Sequence, residues 1–166
     1  MQNDTGIDES VSKYGWAAVP VADATPPFIY TIGLMFSYKH PELIVFGLPD
    51  SGHALLCRLV EQIEIGFSFT APEACGNLGP GIPLATRTVH ETQHELYLGY
   101  AMGYCRERGK IGELKALQVF WADNSGRFPF DAGCNQDVCS LQPRLDVPLT
   151  KSELRAWRKQ WGLDDP

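Results

Sequence analysis

The sequence predicts an α+β domain in which a mixed, mostly antiparallel sheet carries two or three packed helices. Short runs rich in β-branched and aromatic residues stand close together near the start of the chain, as strands of hairpins do. Later runs of this kind alternate with segments of helical periodicity. The expected order β-β-β-α-β-α-β-α begins with three strands without helices between them, which disfavours a doubly wound parallel sheet. A split-barrel-like core is one version of this fold.

Five segments have the composition of strands. Pro20 places the first at a sheet edge, because proline cannot donate to a strand ladder. The third is nearly continuous in apolar residues, which predicts a central strand. The second and third should pair as a hairpin. The predicted strands are residues 15–21, 28–34, 42–48, 84–90 and 114–122.

Three segments have the apolar spacing of helices: residues 52–65, 91–108 and 150–161. Asp50 or Ser51 is expected to cap the first, because a short side-chain oxygen can accept a free backbone N–H there.

The C-terminal helix should begin with a capping box formed by Thr150 and Glu153. Residues 1–13 are expected to form a loosely held arm before a single globular domain at 14–166. Residues 131–148 should be mostly irregular. Residues 70–83 form a loop dense in Gly and Pro that could cover a site.

The bulk composition excludes several classes of protein. With 166 residues, 44% of them hydrophobic and 20% charged, the chain can bury a core of its own. The net charge of −6 argues against nucleic acid as a partner, because phosphate binding needs clustered Lys and Arg. No secretory signal and no apolar run of membrane-spanning length is found, so the expected compartment is the cytoplasm.

The five cysteines do not read as a disulfide framework, because their number is odd and the expected compartment is reducing. Cys57 and Cys105 fall on predicted helices and are expected in the core. Cys75, Cys134 and Cys139 are expected to be loop thiols, and the spacing of the last two differs from that of zinc knuckles.

A first group of polar residues surrounds the predicted hairpin. His40 and Glu42 flank Pro41 and could form an acid–base pair, with Tyr30 as a further catalytic candidate and Thr31 beside it as a ligand contact. The alternative is structural: Tyr30 is a core residue with its hydroxyl bonded, and the segment 40–42 is a turn that holds the hairpin.

A second group follows the last predicted strand. Arg127 could clamp a carboxylate or phosphate, with Trp121 and Asp123 as neighbouring ligand contacts. Arg127 could equally pair with Asp123 or Asp131 and tie the loop down. Asp123, followed by Asn, Ser and Gly, also fits an ordinary turn.

The segment His-Glu-Thr-Gln-His at 90–94 matches the zinc-hydrolase pattern, in which two histidines one helical turn apart hold the metal and the glutamate is the general base. His90 falls at a predicted strand–helix junction, so His90 and His94 need not share a face. A third ligand would have to be a carboxylate, a cysteine, His40 or His53. The alternative is a polar helix start in which Glu91 suits the helix dipole.

Several segments together resemble the bacterial family called domain of unknown function 4262. They are Gly-Trp at 15–16, Pro-Phe-Ile-Tyr-Thr-Ile-Gly-Leu at 27–34, His-Pro-Glu-Leu-Ile-Val-Phe-Gly-Leu at 40–48, Gly-Arg-Phe-Pro at 126–129 and Gln-Pro at 142–143. The resemblance covers about residues 14–145 and implies a soluble bacterial domain. It gives weight to the first group and to Asp123 and Arg127. The 90–94 pattern is not associated with the family, and the pair Cys134 and Cys139 is particular to this chain.

Three functions follow as hypotheses. The first is a small-molecule binding or catalytic domain with a polar pocket at one sheet end, where both groups meet. A flavin-binding split barrel is its most concrete cofactor version, by fold analogy alone, and no cofactor is assigned. The second is a partner-protein role, such as an immunity-type protein that neutralises a toxin. The third is the zinc hydrolase. The oligomeric state is left open, and a dimer is compatible with the sequence.

Overall fold

The computed structural model describes residues 4–70, 74–77 and 83–163; for 74–77 it describes the backbone alone. The strands are β1 (Ala17–Val21), β2 (Phe28–Ile32), β3 (Glu42–Phe46), β4 (Ala74–Asn77), β5 (Pro83–Thr88) and β6 (Ala116–Trp121). The helices are α1 (Asp4–Tyr14), α2 (Leu34–Ser37), α3 (Gly52–Glu64), α4 (His94–Tyr97), α5 (Gly99–Glu107), α6 (Gln136–Leu141) and α7 (Lys151–Gln160), with a 3₁₀ turn at Glu91–Gln93.

The strands form one sheet in the order β1-β2-β3-β6-β5-β4. Every pairing is antiparallel except that of β3 with β6, so the predicted α+β fold with a mixed, mostly antiparallel sheet is confirmed. The sheet is open, with β1 and β4 at its edges, and the split-barrel version is therefore not what forms. Pro20 lies in the edge strand β1 and the predicted hairpin pairs β2 with β3, both as expected.

Strand β3 is central, as its apolar run predicts, and all five of its residues are buried. Successive side chains of a strand point to opposite faces, so β3 contributes to two cores. Leu43 and Val45 pack with α3 on one face, and Ile44 and Phe46 pack with α1 and α5 on the other. The sheet is thus a middle layer between helices.

Helix α1 differs from the loosely held arm expected at the N-terminus. Ile7 is buried in the core that α5 also contacts, and Asp8 pairs with Arg108 at 2.7 Å. The segment is mostly polar, and the tertiary contacts of Ile7 and Val11 hold the helix in place. Sequence periodicity is weak where only two apolar residues face the core.

The helix predicted at 91–108 is broken. After the 3₁₀ turn and α4, Leu98 leaves helical geometry with φ −121° and ψ 33°, and α5 begins at Gly99. Gly99 is a poor helix former, which favours a break at this point. The side chain of Leu98 is fully buried.

Other expectations are met or corrected locally. Helix α7 begins with the predicted capping box of Thr150 and Glu153. Ser51 occupies the N-cap of α3 without a side-chain cap bond, so the predicted cap interaction is absent there. Helix α6 lies in the segment expected to be irregular, and β4 lies in the expected Gly/Pro loop, of which residues 71–73 and 78–82 fall outside the described residues. No helix in the described ranges has the length and apolarity to cross a bilayer.

Candidate functional site

Glu42 is the centre of the first group, and its carboxylate is occupied by hydrogen bonds from the chain itself. Its carboxylate accepts the Thr31 hydroxyl at 2.6 Å and the backbone N–H groups of Gly33 at 2.9 Å, Leu34 at 3.3 Å and Met35 at 3.3 Å. These N–H groups are the free donors at the start of α2. Glu42 therefore caps α2 from the neighbouring strand.

Gly33 makes this cap possible. It adopts φ +108°, which L side chains rarely accept, and a Cβ there would lie 3.0 Å from the Gly15 carbonyl oxygen. Thr31 completes the arrangement, because its hydroxyl oxygen also accepts the N–H of Leu43 at 2.9 Å. The segment Thr-Ile-Gly-Leu at 31–34 is thus a tight strand-to-helix connection tied to β3.

The charge state of Glu42 is governed by two opposing effects. Burial in the core disfavours the carboxylate, whereas the four hydrogen bonds favour it. Burial is the larger effect and raises the pKa of Glu42 to about 7. A carboxyl group in the core, near Tyr104 and Cys105 of α5, thus titrates near neutrality.

His40 does not pair with Glu42. Its Nδ1 lies 2.7 Å from the Pro41 carbonyl oxygen, and its Nε2 lies 2.9 Å from the backbone nitrogen of Phe69. The Phe69 N–H must donate, so the ring is a neutral tautomer with its proton on Nδ1. Burial lowers the pKa of His40, which agrees with that neutral form.

Tyr30 faces the other side of the sheet from the α3 core. It is 1% exposed, and its hydroxyl accepts the backbone N–H of Tyr100 at 3.3 Å. Burial raises the pKa of Tyr30, so it remains a neutral phenol. These contacts are those of a core residue with its hydroxyl bonded.

The second group is a self-contained loop after β6. Asp123 accepts the N–H groups of Ser125 at 2.8 Å and Arg127 at 3.0 Å on one oxygen, and that of Asn135 at 2.8 Å on the other. These bonds lower the pKa of Asp123. Arg127 donates to the Gly133 carbonyl at 3.0 Å, so its guanidinium ties the loop together.

Trp121 is the last residue of β6, where this loop begins, and its hydrogen bonds are to the chain itself. Its indole N–H donates to the Phe46 carbonyl at 2.8 Å, and its backbone exchanges two hydrogen bonds with the side chain of Gln142, both at 3.0 Å. Gln142 is buried and its role was not predicted, although it lies in the Gln-Pro segment at 142–143 that carries part of the resemblance.

The two groups lie at opposite ends of the sheet. Strands β3 and β6 are parallel, and Glu42 is in register with Ala116 at the start of β6. Trp121 ends that strand, five residues further on, or about 17 Å at the rise of an extended strand. The single pocket expected to join Glu42 with Asp123 and Arg127 is therefore not formed.

A cleft of about 1010 Å³ lies at the end of the sheet where β3 and β6 begin. Three imidazoles line it, those of His40, His90 and His94. Phe69 and Leu114 are among its apolar lining residues. The cleft thus joins one residue of the first group to the histidines singled out by the zinc pattern.

His90 and His94 differ in how they are held. His90 caps the 3₁₀ turn, its Nδ1 lying 2.9 Å from the Thr92 hydroxyl and 3.3 Å from the Thr92 nitrogen. The ring of His94 bonds the backbone of Val89, and burial lowers its pKa. The buried Nε2 of His94 has no hydrogen-bond partner in the described structure.

His90 lies at the strand–helix junction, as predicted, in extended conformation before the 3₁₀ turn. Within the described ranges, no three His, Cys, Asp or Glu side chains are arranged to hold a metal ion. The pair His90 and His94 thus lacks a third ligand in place, which the zinc hypothesis requires.

Charged residues at the cleft are Lys39, Lys115, Glu91 and Glu113. Lys39 and Lys115 belong to adjacent chain segments, since the N–H of Glu42 donates to the Lys115 carbonyl. No motif in the sequence singles out either lysine, because only the parallel pairing of β3 with β6 brings them to one site.

The model of a protein family described as "Domain of unknown function (DUF4262)" matches residues 10–135, more than half of the chain. The chain belongs to this family. The match includes Thr31, Gly33, His40 and Glu42, and the loop that starts at Asp123. It ends before Cys139 and before α7, so the DUF4262 match does not include the C-terminal helices.

No curated protein and no solved structure matches the chain.

Proposed function

We propose that this DUF4262 domain binds a small organic molecule with an anionic head group in the cleft where β3 and β6 begin. The observation that carries the proposal is the cleft itself, about 1010 Å³ and lined by three imidazoles. Ligand sites in proteins commonly enclose about 300–1,000 Å³ and combine apolar walls with a few polar groups. The apolar lining from Phe69 and Leu114 suits the body of such a ligand.

Two of the three imidazoles that line the cleft shape its wall. His40 has both ring nitrogens engaged by the backbone, so it shapes the wall. His94 is held neutral by burial, and its Nε2 is an acceptor without a partner in the described structure. That nitrogen is itself buried, so His94 contributes to the wall of the cleft and its Nε2 is not exposed to a ligand there.

The charges at the cleft favour an anionic head group. Glu113 lies 3.4 Å from Lys110, which partly neutralises it. Lys39 and Lys115 have no ion pair within the described part of the chain. Of the two glutamates that line the cleft, Glu91 is the one without an ion pair in that part of the chain. A carboxylate or phosphate would find two ammonium groups there, on a chain whose net charge is −6.

The test is an NMR titration of ¹⁵N-labelled protein with small carboxylic acids and their neutral amide isosteres. We expect the acids to shift the backbone signals of residues 89–91 and 115–117, and the amides to do so at higher concentration. Lys115→Ala should weaken binding by about tenfold, as loss of one charged hydrogen bond does. Lys13→Ala, on α1 and away from the cleft lining, is the matched control.

Two results would count against the proposal. Equal affinity for the acids and the amides would show that the cleft does not prefer an anionic head group. No shift of cleft signals with any compound would remove the site and leave the partner-protein hypothesis as the stronger one, to be followed by a search for a stoichiometric partner.

A further inference from the structure

Cys134 and Cys139 occupy two positions that are in contact at the start of a helix. Asn135 is the N-cap of α6, and its side chain accepts the N–H groups of Asp137 at 2.9 Å and Val138 at 3.4 Å. Cys134 precedes the cap and Cys139 is the fourth helical residue. Side chains at these two positions commonly pack together at helix starts.

The two thiols lie in the same small environment. Cys134 Sγ donates to the Arg127 carbonyl at 3.5 Å, and Cys139 Sγ lies 4.0 Å from the Cys134 carbonyl oxygen. The thiol of Cys139 is also close enough to that of Cys134 to contribute to raising its pKa. Both residues are half-buried, whereas Cys105 is buried in the core and Cys57 lies on α3. The geometry thus offers an accessible pair of neighbouring thiols.

We propose that Cys134 and Cys139 form a reversible intramolecular disulfide with a low-molecular-weight disulfide as oxidant. The thiolate of one cysteine attacks a sulfur of the oxidant, forms a mixed disulfide and displaces one thiolate. The thiolate of the second cysteine then attacks the protein sulfur and displaces the other. The protein loses two protons and two electrons, and the oxidant is reduced to two thiols.

The link would join two segments that hydrogen bonds already hold together. Asp123 accepts the N–H of Asn135 at 2.8 Å, so the loop after β6 is positioned against the start of α6 before any oxidation. Burial and the neighbouring thiol raise the pKa of Cys134 to about 11, so little of it is thiolate at neutral pH and ring closure should be slow there.

The experiment treats the full chain with oxidised glutathione and follows it by intact mass, thiol titration and peptide mapping. The expected product is a monomer that has lost two hydrogen atoms, with free thiols reduced from five to three and a Cys134–Cys139 link. Dithiothreitol should restore the original mass. Cys57→Ser is the matched control and should still form the link.

Cys139→Ser distinguishes disulfide formation from simple reactivity of exposed thiols. Without the second thiol, the reaction should stop at a glutathione adduct on Cys134. A near-ultraviolet circular dichroism spectrum unchanged from the parent protein establishes that the variant is folded. Formation of stable mixed adducts on both cysteines of the unmutated chain, without an internal link, would overturn the proposal. A link that involves another cysteine would do the same.

Discussion

At the scale of single residues, the polar side chains of the family segments satisfy the backbone of this chain. Thr31 accepts the Leu43 N–H and donates to Glu42, and Glu42 accepts three N–H groups at the start of α2. Asp123 holds its own loop through three further N–H groups. The residues by which the family resemblance is noticed therefore include several that hold its connections in shape.

Glu42 gives a prediction with a defined sign. Its pKa is raised from 4.5 to about 7, so between these pH values the folded state binds more protons than the unfolded state. The free energy of unfolding contributed by Glu42 is fully present below pH 4.5 and is lost as the pH rises through about 7. The slope is at most about 1.4 kcal/mol per pH unit.

Urea unfolding of the parent protein and Glu42→Gln from pH 4.5 to 8 measures this effect. The stability of the parent relative to the variant should fall with rising pH and level off above pH 7. Glu9→Gln, which changes an exposed carboxylate on α1, is the matched control. A difference that rises with pH would mean that the four hydrogen bonds outweigh burial and that Glu42 is ionised throughout.

Residue roles were predictable where the partner is near in sequence. The capping box of Thr150 and Glu153 spans three residues and was predicted, as was the turn at Asp123. The cap of α2 by Glu42 joins residues nine positions apart and depends on the pairing of β2 with β3. No local sequence pattern predicts such a contact. The tautomer of His40 likewise depends on Phe69, which is 29 residues away.

At the scale of elements, strong apolar periodicity predicted what formed, and short or polar elements were missed. Strands β1, β2, β3, β5 and β6 and helices α3 and α7 follow the predicted segments within a few residues. Helices α1, α2 and α6 were not predicted. Each is short or mostly polar, and such segments carry little helical periodicity of their own.

Helix α7 gives a prediction for an element. None of its residues is buried, and its N-terminus is closed by the capping box, in which Thr150 accepts the Glu153 N–H at 3.2 Å. Thr150→Ala should cost about 1 kcal/mol of helix stability, because one free N–H loses its acceptor.

Hydrogen exchange of the amides of residues 151–155 measures this loss, and we expect it to be several-fold faster in Thr150→Ala. Ser152→Ala, an exposed change in the same helix turn, should leave exchange unchanged or slow it. Exchange in Thr150→Ala as slow as in the parent protein would show that the cap does not govern this end of α7.

At the scale of the whole molecule, the parallel pairing of β3 with β6 decides which residues can act together. It places His40 and Lys115 at one end of the sheet and the Asp123 loop at the other. The sequence predicted both groups as polar clusters but joined them in one pocket. Parallel pairing arises from a long connection through α3, β4, β5, α4 and α5, and hairpin signals cannot reveal it.

This separation predicts that the two ends respond independently to mutation. Thr31→Val removes the hydroxyl that bonds Glu42 and Leu43, and Asp123→Asn weakens the loop that holds Arg127 and Asn135. Thr31→Val should cost about 1–2 kcal/mol, because hydrogen bonds to a carboxylate and to a buried N–H are lost. Asp123→Asn should also lower the free energy of unfolding, because three N–H groups lose a charged acceptor. Sites more than about 10 Å apart that share no partner usually add within about 0.5 kcal/mol. The loss of unfolding free energy in the double variant, measured in urea, should therefore equal the sum of the losses in the two single variants.

The positive control is a pair of residues in direct contact, Thr31→Val with Glu42→Gln, whose losses should deviate from additivity. Coupling between Thr31 and Asp123 as large as in that control would mean that the two ends form one cooperative site after all.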